Sequence, residues 1–286
     1  MRTLFLFVLL STAVPAAADF DAFAYRRSSG PVAVAAEIQA LKASLGKHRP
    51  DPDRSERLMR LTLALSARCP AAYRASLERV IAERRRISQE ERQILEGPLT
   101  TEWLNSRWMN SMSSAGDPFA RELFRRTFAD QHHAETPLEG AEAEALRYLL
   151  AVDEAELIRA NAQWLEQAIA ANGWFDISRY GAEASQAAWL LVQHADYDPG
   201  WQRSVLALLE PKTRTGDFQP KYYAYLDDRV AVNSGRPQRF GTQGRCVGKD
   251  DWQPLAVADP AKLDERRASV GLEPMAEYRA RFTCRG

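Results

Sequence analysis

The stretch EAEALRYLLAVDEAELIRANAQWLEQAIAANGW, residues 142–174, decides the fold class. Its apolar residues recur at intervals of three and four, which puts them on one side of a helix. Ala, Leu, Glu and Arg, all strong helix formers, fill most of the remaining positions. The stretch reads as two helices or one long bent helix, stopped at Asn172-Gly173, a residue pair suited to a helix end. Residues 178–195, SRYGAEASQAAWLLVQHA, follow at once. Ser178 is a candidate cap, and Ala184, Ala187, Ala188, Trp189, Leu190, Leu191 and Val192 leave almost no polar face, the mark of a central helix. Asp198-Pro199 then opens another helix through WQRSVLALLE, with Pro at its favoured first position.

Working upstream, EIQALKASL, RLMRLTLALSA and YRASLERVIAERRRI repeat the helical spacing. Pro50-Asp51-Pro52, Cys69-Pro70, Gly97-Pro98, Gly116-Asp117-Pro118 and Thr136-Pro137 divide the series into pieces of about 12 to 20 residues, ordinary helix lengths. Downstream the texture changes. YAYLDDRVAVNSGRPQRFGTQGRCVG carries aromatic and β-branched residues around Asn233-Ser234-Gly235, a hairpin turn signal. DWQPLAVAD adds a further short strand, and DPAKLDERRASVGLEPMAEYRARF returns to helix. The expected architecture is mainly α, an antiparallel helical array with a small C-terminal β-hairpin subdomain.

The first residues are read apart from the fold. A short basic start, an apolar run from Leu4 to Val14 and Ala16-Ala17-Ala18 form a secretory signal pattern over residues 1–18, too short to span a bilayer as a stable helix. The mature chain is expected in the periplasm or secreted, without a membrane anchor. It divides into an N-terminal helical region, residues 19–129, and a motif-bearing α plus β-hairpin domain, residues 130–286. Lys plus Arg and Asp plus Glu both number 38, a balance that argues against a nucleic-acid partner. Arg84-Arg85-Arg86 is matched by Glu78, Glu83, Glu90 and Glu91 and reads as a solvated helix face. Three cysteines in an exported chain allow one disulfide, expected between Cys246 and Cys284, with Cys69 a small buried hydrophobe.

The chemistry concentrates late in the chain. Gln193 and His194 close an otherwise apolar helix, and Asp196 follows. One turn back lie Leu190 and Leu191, so the imidazole emerges from an apolar wall, where desolvation would push its pKa down and leave a neutral base. The alternative is a core histidine joining two backbone groups. Asp228 is a candidate to orient that imidazole, and Arg229 suits a planar fork on a carboxylate or phosphate. On a strand the two would point to opposite faces, so that only one reaches His194. Their alternative role is a structural Asp–Arg pair. Gly241-Thr242-Gln243 offers a glycine for close approach and two polar side chains for a ligand, or simply a hairpin exit turn. Trp164, Trp174, Trp189 and Trp201 either wall a pocket or are core. His132-His133, with Asp130 and Glu135, lacks metal-ligand spacing. There is no Gly-rich phosphate loop, Ser elbow or Cys–His pair, and neither a metal nor a cofactor is called for.

Five motifs in order are Gly173-Trp174, Trp189 to Asp196 (W-x-x-V-Q-H-A-D), Tyr225 to Val232 (Y-L-x-D-R-V-x-V), Gly235 to Gln243 (G-x-P-Q-x-F-G-T-Q) and Arg266 to Leu272 (R-R-x-x-x-G-L). They resemble an uncharacterised bacterial family catalogued as a domain of unknown function, over roughly Asp130 to Tyr278. The chain departs from that pattern at Phe175, where Pro is usual, and at His132-His133, where Arg usually follows Asp130-Gln131. The resemblance implies that His194, Asp228, Arg229 and Gln243 belong together, and it names no reaction. The functional expectation is an exported His-assisted hydrolase with His194 and Asp228 catalytic. Arg229, Gln243, Gln193 and Thr242 would hold a small-molecule or peptide ligand. The alternative is a non-catalytic binding or scaffold module.

Overall fold

The computed structural model describes residues 22–45, 52–65, 71–98, 103, 106–132 and 134–284. The signal pattern, Cys69 and His133 lie outside the described residues. The chain is mainly α. Its helices are α1 (Ala22–Leu45), α2 (Pro52–Leu65), α3 (Ala71–Glu96), α4 (Arg107–Ser114), α5 (Pro118–Gln131), α6 (Gly140–Asn172), α7 (Ile177–His194), α8 (Pro199–Thr215) and α9 (Pro220–Asn233). A two-stranded antiparallel hairpin follows, β1 (Gly244–Gly248) with β2 (Asp251–Pro254), and then α10 (Leu263–Ser269) and α11 (Met275–Arg279). Among the described residues, no helix is long and apolar enough to cross a membrane.

Contacts group the chain into two units, one from residues 1–89 and 134–156, the other from 90–133 and 157–286. In the first, α1 packs on α2 through Val34, Ile38, Leu58 and Leu61. Val80 and Ile87 of α3 meet Leu146 and Leu149 of α6. The Arg84–Arg86 run is not uniformly solvated. Arg86 does pair at the surface with Glu83, but Arg84 is 5 % exposed. Its Nε and Nη2 each donate to Asp153 at 3.0 Å, and its Nη1 donates to Glu56 at 3.1 Å. Glu56 also accepts from Arg60 Nε at 3.0 Å. The sequence shows the charge balance; it does not show that one of three adjacent arginines turns inward, because its carboxylate partners come from α2 and α6.

In the second unit the centre is α7, as the all-round apolar pattern predicts. Ala184, Ala187, Ala188 and Val192 are fully buried, and α7 packs against α5, α8 and α9. Helix starts follow their cap chemistry. Asp117 Oδ1 accepts from the N–H groups of Phe119 (2.8 Å) and Ala120 (3.2 Å), and Asp198 Oδ1 accepts from Trp201 N–H at 2.9 Å. Each satisfies donors that the first helical turn leaves without a partner, and a Pro follows each cap.

The hairpin lies later than the turn signal suggests. Asn233-Ser234-Gly235 is the end of α9, with Gly235 at φ 69°. A left-handed glycine ends a helix as readily as it turns a hairpin. The true turn is Lys249-Asp250, between β1 and β2, with Cys246 opposite Trp252 and a bulge before Gly248. Trp252 stacks on Phe282 at 4.5 Å and meets Tyr278 edge-on at 5.5 Å. Cys246 is bonded to Cys284 across 38 positions, and Asp250 N–H donates to the Cys284 carbonyl at 3.0 Å. Closing a loop of that length contributes about 4 kcal/mol in the chain-entropy account. Cys284→Ser is therefore expected to lower the unfolding temperature by roughly 10 °C, measured without reductant. A variant that unfolds with the wild type would show that the bridge contributes nothing to the fold.

Candidate functional site

His194 is the last residue of α7, at the point where the helix gives way to the Asp196–Asp198 turn. Its Nδ1 lies 2.8 Å from Asp130 Oδ2; the carboxylate side chain is 2 % exposed and the imidazole 31 %. Asp130 sits near the end of α5, which packs on α7. The imidazole pKa is raised above the usual histidine value. The hydrogen bond to Asp130 is the largest cause, burial works against it, and the Asp130 charge adds to the rise. The depressed pKa expected from the apolar wall is thus corrected: the wall is present, but it also buries a carboxylate at bonding distance, and that partner wins.

Beside His194, Arg229 clamps the other polar groups of the turn. Its Nε and Nη2 donate to the two oxygens of Asp196 at 2.7 and 2.6 Å, and its Nη1 donates to Gln193 Oε1 at 3.2 Å. Asn233 Nδ2 donates to Asp196 at 2.8 Å, and Gln202 Nε2 donates to the Val192 carbonyl at 2.9 Å. Burial would raise the Asp196 pKa, but the Arg229 hydrogen bond and charge, with Gln202 and Asn233, hold it below the ordinary aspartate range. The Arg229 charge also works against protonation of His194.

Asp228 belongs to a different group. The segment is α9, so Asp228 and Arg229 point about 100° apart, and Asp228 turns away from the end of α7. It is fully buried. It accepts from the backbone N–H groups of Arg239 (2.7 Å), Phe240 (2.9 Å) and Thr242 (2.8 Å). Burial is the largest influence on its pKa and raises it, while these three donors pull the other way. Gln238 completes the turn, accepting from Gln243 N–H at 2.8 Å and donating to the Gln243 carbonyl at 2.7 Å. Gln243 Nε2 donates to Thr242 Oγ1 at 3.1 Å. Arg267, fully buried, donates to the Phe240 carbonyl at 2.6 Å, and Tyr278 donates to the Thr242 carbonyl at 3.0 Å.

The implied set is therefore divided. His194, Gln193 and Arg229 come together with Asp130, while Asp228, Thr242 and Gln243 form a buried turn. Asp130 is the residue that sequence reasoning passed over as a partner, although it opens the Asp130-Gln131 pair that the family pattern marks. The tryptophans divide too: Trp174 and Trp189 are core, and Trp164 and Trp201 pack partly buried against it. His132 pairs separately, its Nε2 2.8 Å from Glu90. Among the described residues, no cluster of three or more His, Cys, Asp or Glu is arranged to hold a metal ion.

The sequence model of one family, described as a family of unknown function (DUF6624), matches residues 119–283. The chain belongs to this family. The match takes in both polar groups, from Asp130 on α5 to Tyr278 on α11. No curated protein and no solved structure matches the chain. Within the DUF6624 region, the W-x-x-V-Q-H-A-D motif builds the His194 group, and the G-x-P-Q-x-F-G-T-Q motif is the turn that Asp228 holds.

Proposed function

We propose that the chain is an exported hydrolase in which His194 and Asp130 act as an acid–base pair. The observation that carries this is the asymmetry of the imidazole: Nδ1 is held at 2.8 Å by a buried carboxylate, while no hydrogen bond from the described residues reaches Nε2 on a ring that is partly open to solvent. A carboxylate on one ring nitrogen fixes the tautomer and leaves the other to take a proton. In the proposed reaction, Nε2 accepts a proton from water as the hydroxide attacks the scissile group. It then returns the proton to the leaving group, so the imidazole ends as it began. Arg229 and Gln193 border the site and suit an anionic substrate. The disulfide supports an oxidising compartment. The reading gives Asp228, Thr242 and Gln243 no contact with substrate.

A second reading is a binding or scaffold module. It rests on the Arg229–Asp196 clamp, in which both carboxylate oxygens are already bonded within the protein.

The test is a pH–rate profile with p-nitrophenyl acetate, p-nitrophenyl phosphate and bis-p-nitrophenyl phosphate. For a base with a raised pKa, the rate climbs as pH rises through that pKa. Asp130→Asn removes the largest cause of the rise, so the acid limb moves to lower pH and the plateau falls about 100-fold. His194→Gln abolishes turnover. Turnover unchanged in His194→Gln, or none with any probe, favours the module. Stability gives an independent check. A histidine whose folded pKa is raised contributes stability that is complete below about pH 6.5 and is lost as pH rises through the folded value. The gap in unfolding temperature between wild type and His194→Gln is thus larger at pH 5.5 than at pH 8.5. Equal gaps would contradict the Asp130 pairing.

A further inference from the structure

The arginines around His194 and Asp130 differ in what they already hold. Arg229 is committed: its Nε, Nη1 and Nη2 each donate to Asp196 or Gln193. Arg126, one turn before Asp130 on α5, lies 2.7 Å from Glu122 and donates to Asn161 Oδ1 at 3.3 Å. A third arginine, Arg159, comes from the same stretch of α6 as Asn161. Its guanidinium carbon sits over the Tyr197 ring, 4.3 Å from the centroid.

Tyr197 is 44 % exposed and stands three residues after His194. Its turn is closed by two hydrogen bonds, Asp196 N–H to the His194 carbonyl (2.9 Å) and Asp198 N–H to the Ala195 carbonyl (3.0 Å). Two contacts therefore bring this stretch of α6 to the acid–base pair, Tyr197 from the His194 side and Arg126 from the Asp130 side. Asp196, the carboxylate of the same turn, is taken by Arg229 and Asn233 and does not compete for Arg159.

The Arg159 guanidinium has an inner and an outer part. Nε is closed off from solvent. The two Nη groups are not closed off, and among the described residues no carboxylate, carbonyl or hydroxyl accepts from them. Contact with a ring face steadies the guanidinium and leaves its outer N–H groups for an oxyanion.

We infer that Arg159 selects the substrate of the His194 site by binding an oxyanion, a carboxylate or a phosphate, on its two Nη groups. The inference rests on the acid–base reading of His194 and gives it a substrate class, an ester or amide with an anionic group near the bond cleaved. Arg229 then has a separate task, holding in place the turn that carries Tyr197.

KM values for p-nitrophenyl phosphate and for the neutral p-nitrophenyl acetate test this. Arg159→Gln raises the first about tenfold relative to the second. Arg159→Lys keeps the charge but not the fork and recovers part of the loss. Calorimetry with inorganic phosphate and with succinate puts the same question without chemistry. Wild type and His194→Gln both bind one of these anions, Arg159→Gln binds it about tenfold more weakly or worse, and the anion preferred tells phosphate from carboxylate. Arg159-dependent anion binding with no turnover of any probe would end the hydrolase reading and support Arg159 as the receptor of a binding site. KM values that move together for both esters, with a lowered unfolding temperature, would make Arg159 a structural partner of Tyr197 and overturn the inference. Anion binding indifferent to Arg159→Gln, or none at millimolar concentration, overturns it as well.

Discussion

Asp228→Ala is expected to lower the unfolding free energy by about 4 kcal/mol, because three backbone N–H groups would lose their acceptor, two of them on buried residues. Arg239, Phe240 and Thr242 all donate to this one carboxylate, and Asp228, Phe240 and Thr242 are buried. Asp228→Asn should fall between, since its amide nitrogen would face the Thr242 N–H and lose one of the three bonds. A catalytic carboxylate would behave in the opposite way: its removal leaves stability unchanged or slightly higher. Urea unfolding of the two variants decides between these, with the His194 titration followed by NMR in the cold. The expected outcome is a large stability loss with the His194 titration unmoved. Wild-type stability with a shifted His194 pKa would return Asp228 to the reacting site.

Arg84→Met is expected to cost about 3–5 kcal/mol in the first unit, the range for removing one partner from a buried ion network. The loss of attraction is the smaller part. Glu56 would keep Arg60 and Arg85, but Asp153 would stay buried with its charge and, among the described residues, only Ser88 as a side-chain donor. The double variant Arg84→Met, Asp153→Asn should recover a large part of the loss, because it removes the stranded charge as well. Thermal unfolding of the single and double variants measures this. A single variant within 1 kcal/mol of wild type would show that the network is solvated in solution.

Both results concern residues whose roles the sequence conceals, and for one physical reason. Helical periodicity reports which face of a segment is buried, and it served well for α6 and α7. It does not report a partner from a distant segment, which is why Arg84 reads as surface and Asp130 as incidental. The segment around Asp228 misleads in a different way. In α9, Ala224, Leu226, Asp228 and Val230 are buried in strict alternation, the pattern of a strand. The helix produces it by being covered on two sides. Ala224 packs with Phe240 and Leu272, while Leu226 and Val230 enter the main core. Two helical stripes, each four residues apart, interleave into a period of two. The family resemblance groups His194 with Asp228, Arg229 and Gln243. Of these, Arg229 lies near enough for its charge to act on His194, while Asp228 and Gln243 belong with the turn after α9. The disulfide was legible because three cysteines leave few choices.

The double coverage of α9 also governs where this chain can change length. Tyr222 stacks on Trp189 at 4.5 Å, Asp228 holds the following turn, and Arg229 grips the loop after α7. Tyr222 and Arg229, seven residues apart, share one face, Asp228 points to another, and all three are fixed to one another by helical phase. Inserting or deleting one residue between Tyr222 and Asp228 would rotate Asp228 and Arg229 by about 100° and break both grips at once. The Lys249-Asp250 tip carries no such phase relation and lies at an exposed turn. Lineages of this family should therefore accumulate insertions at the hairpin tip while keeping the spacing within α9 constant.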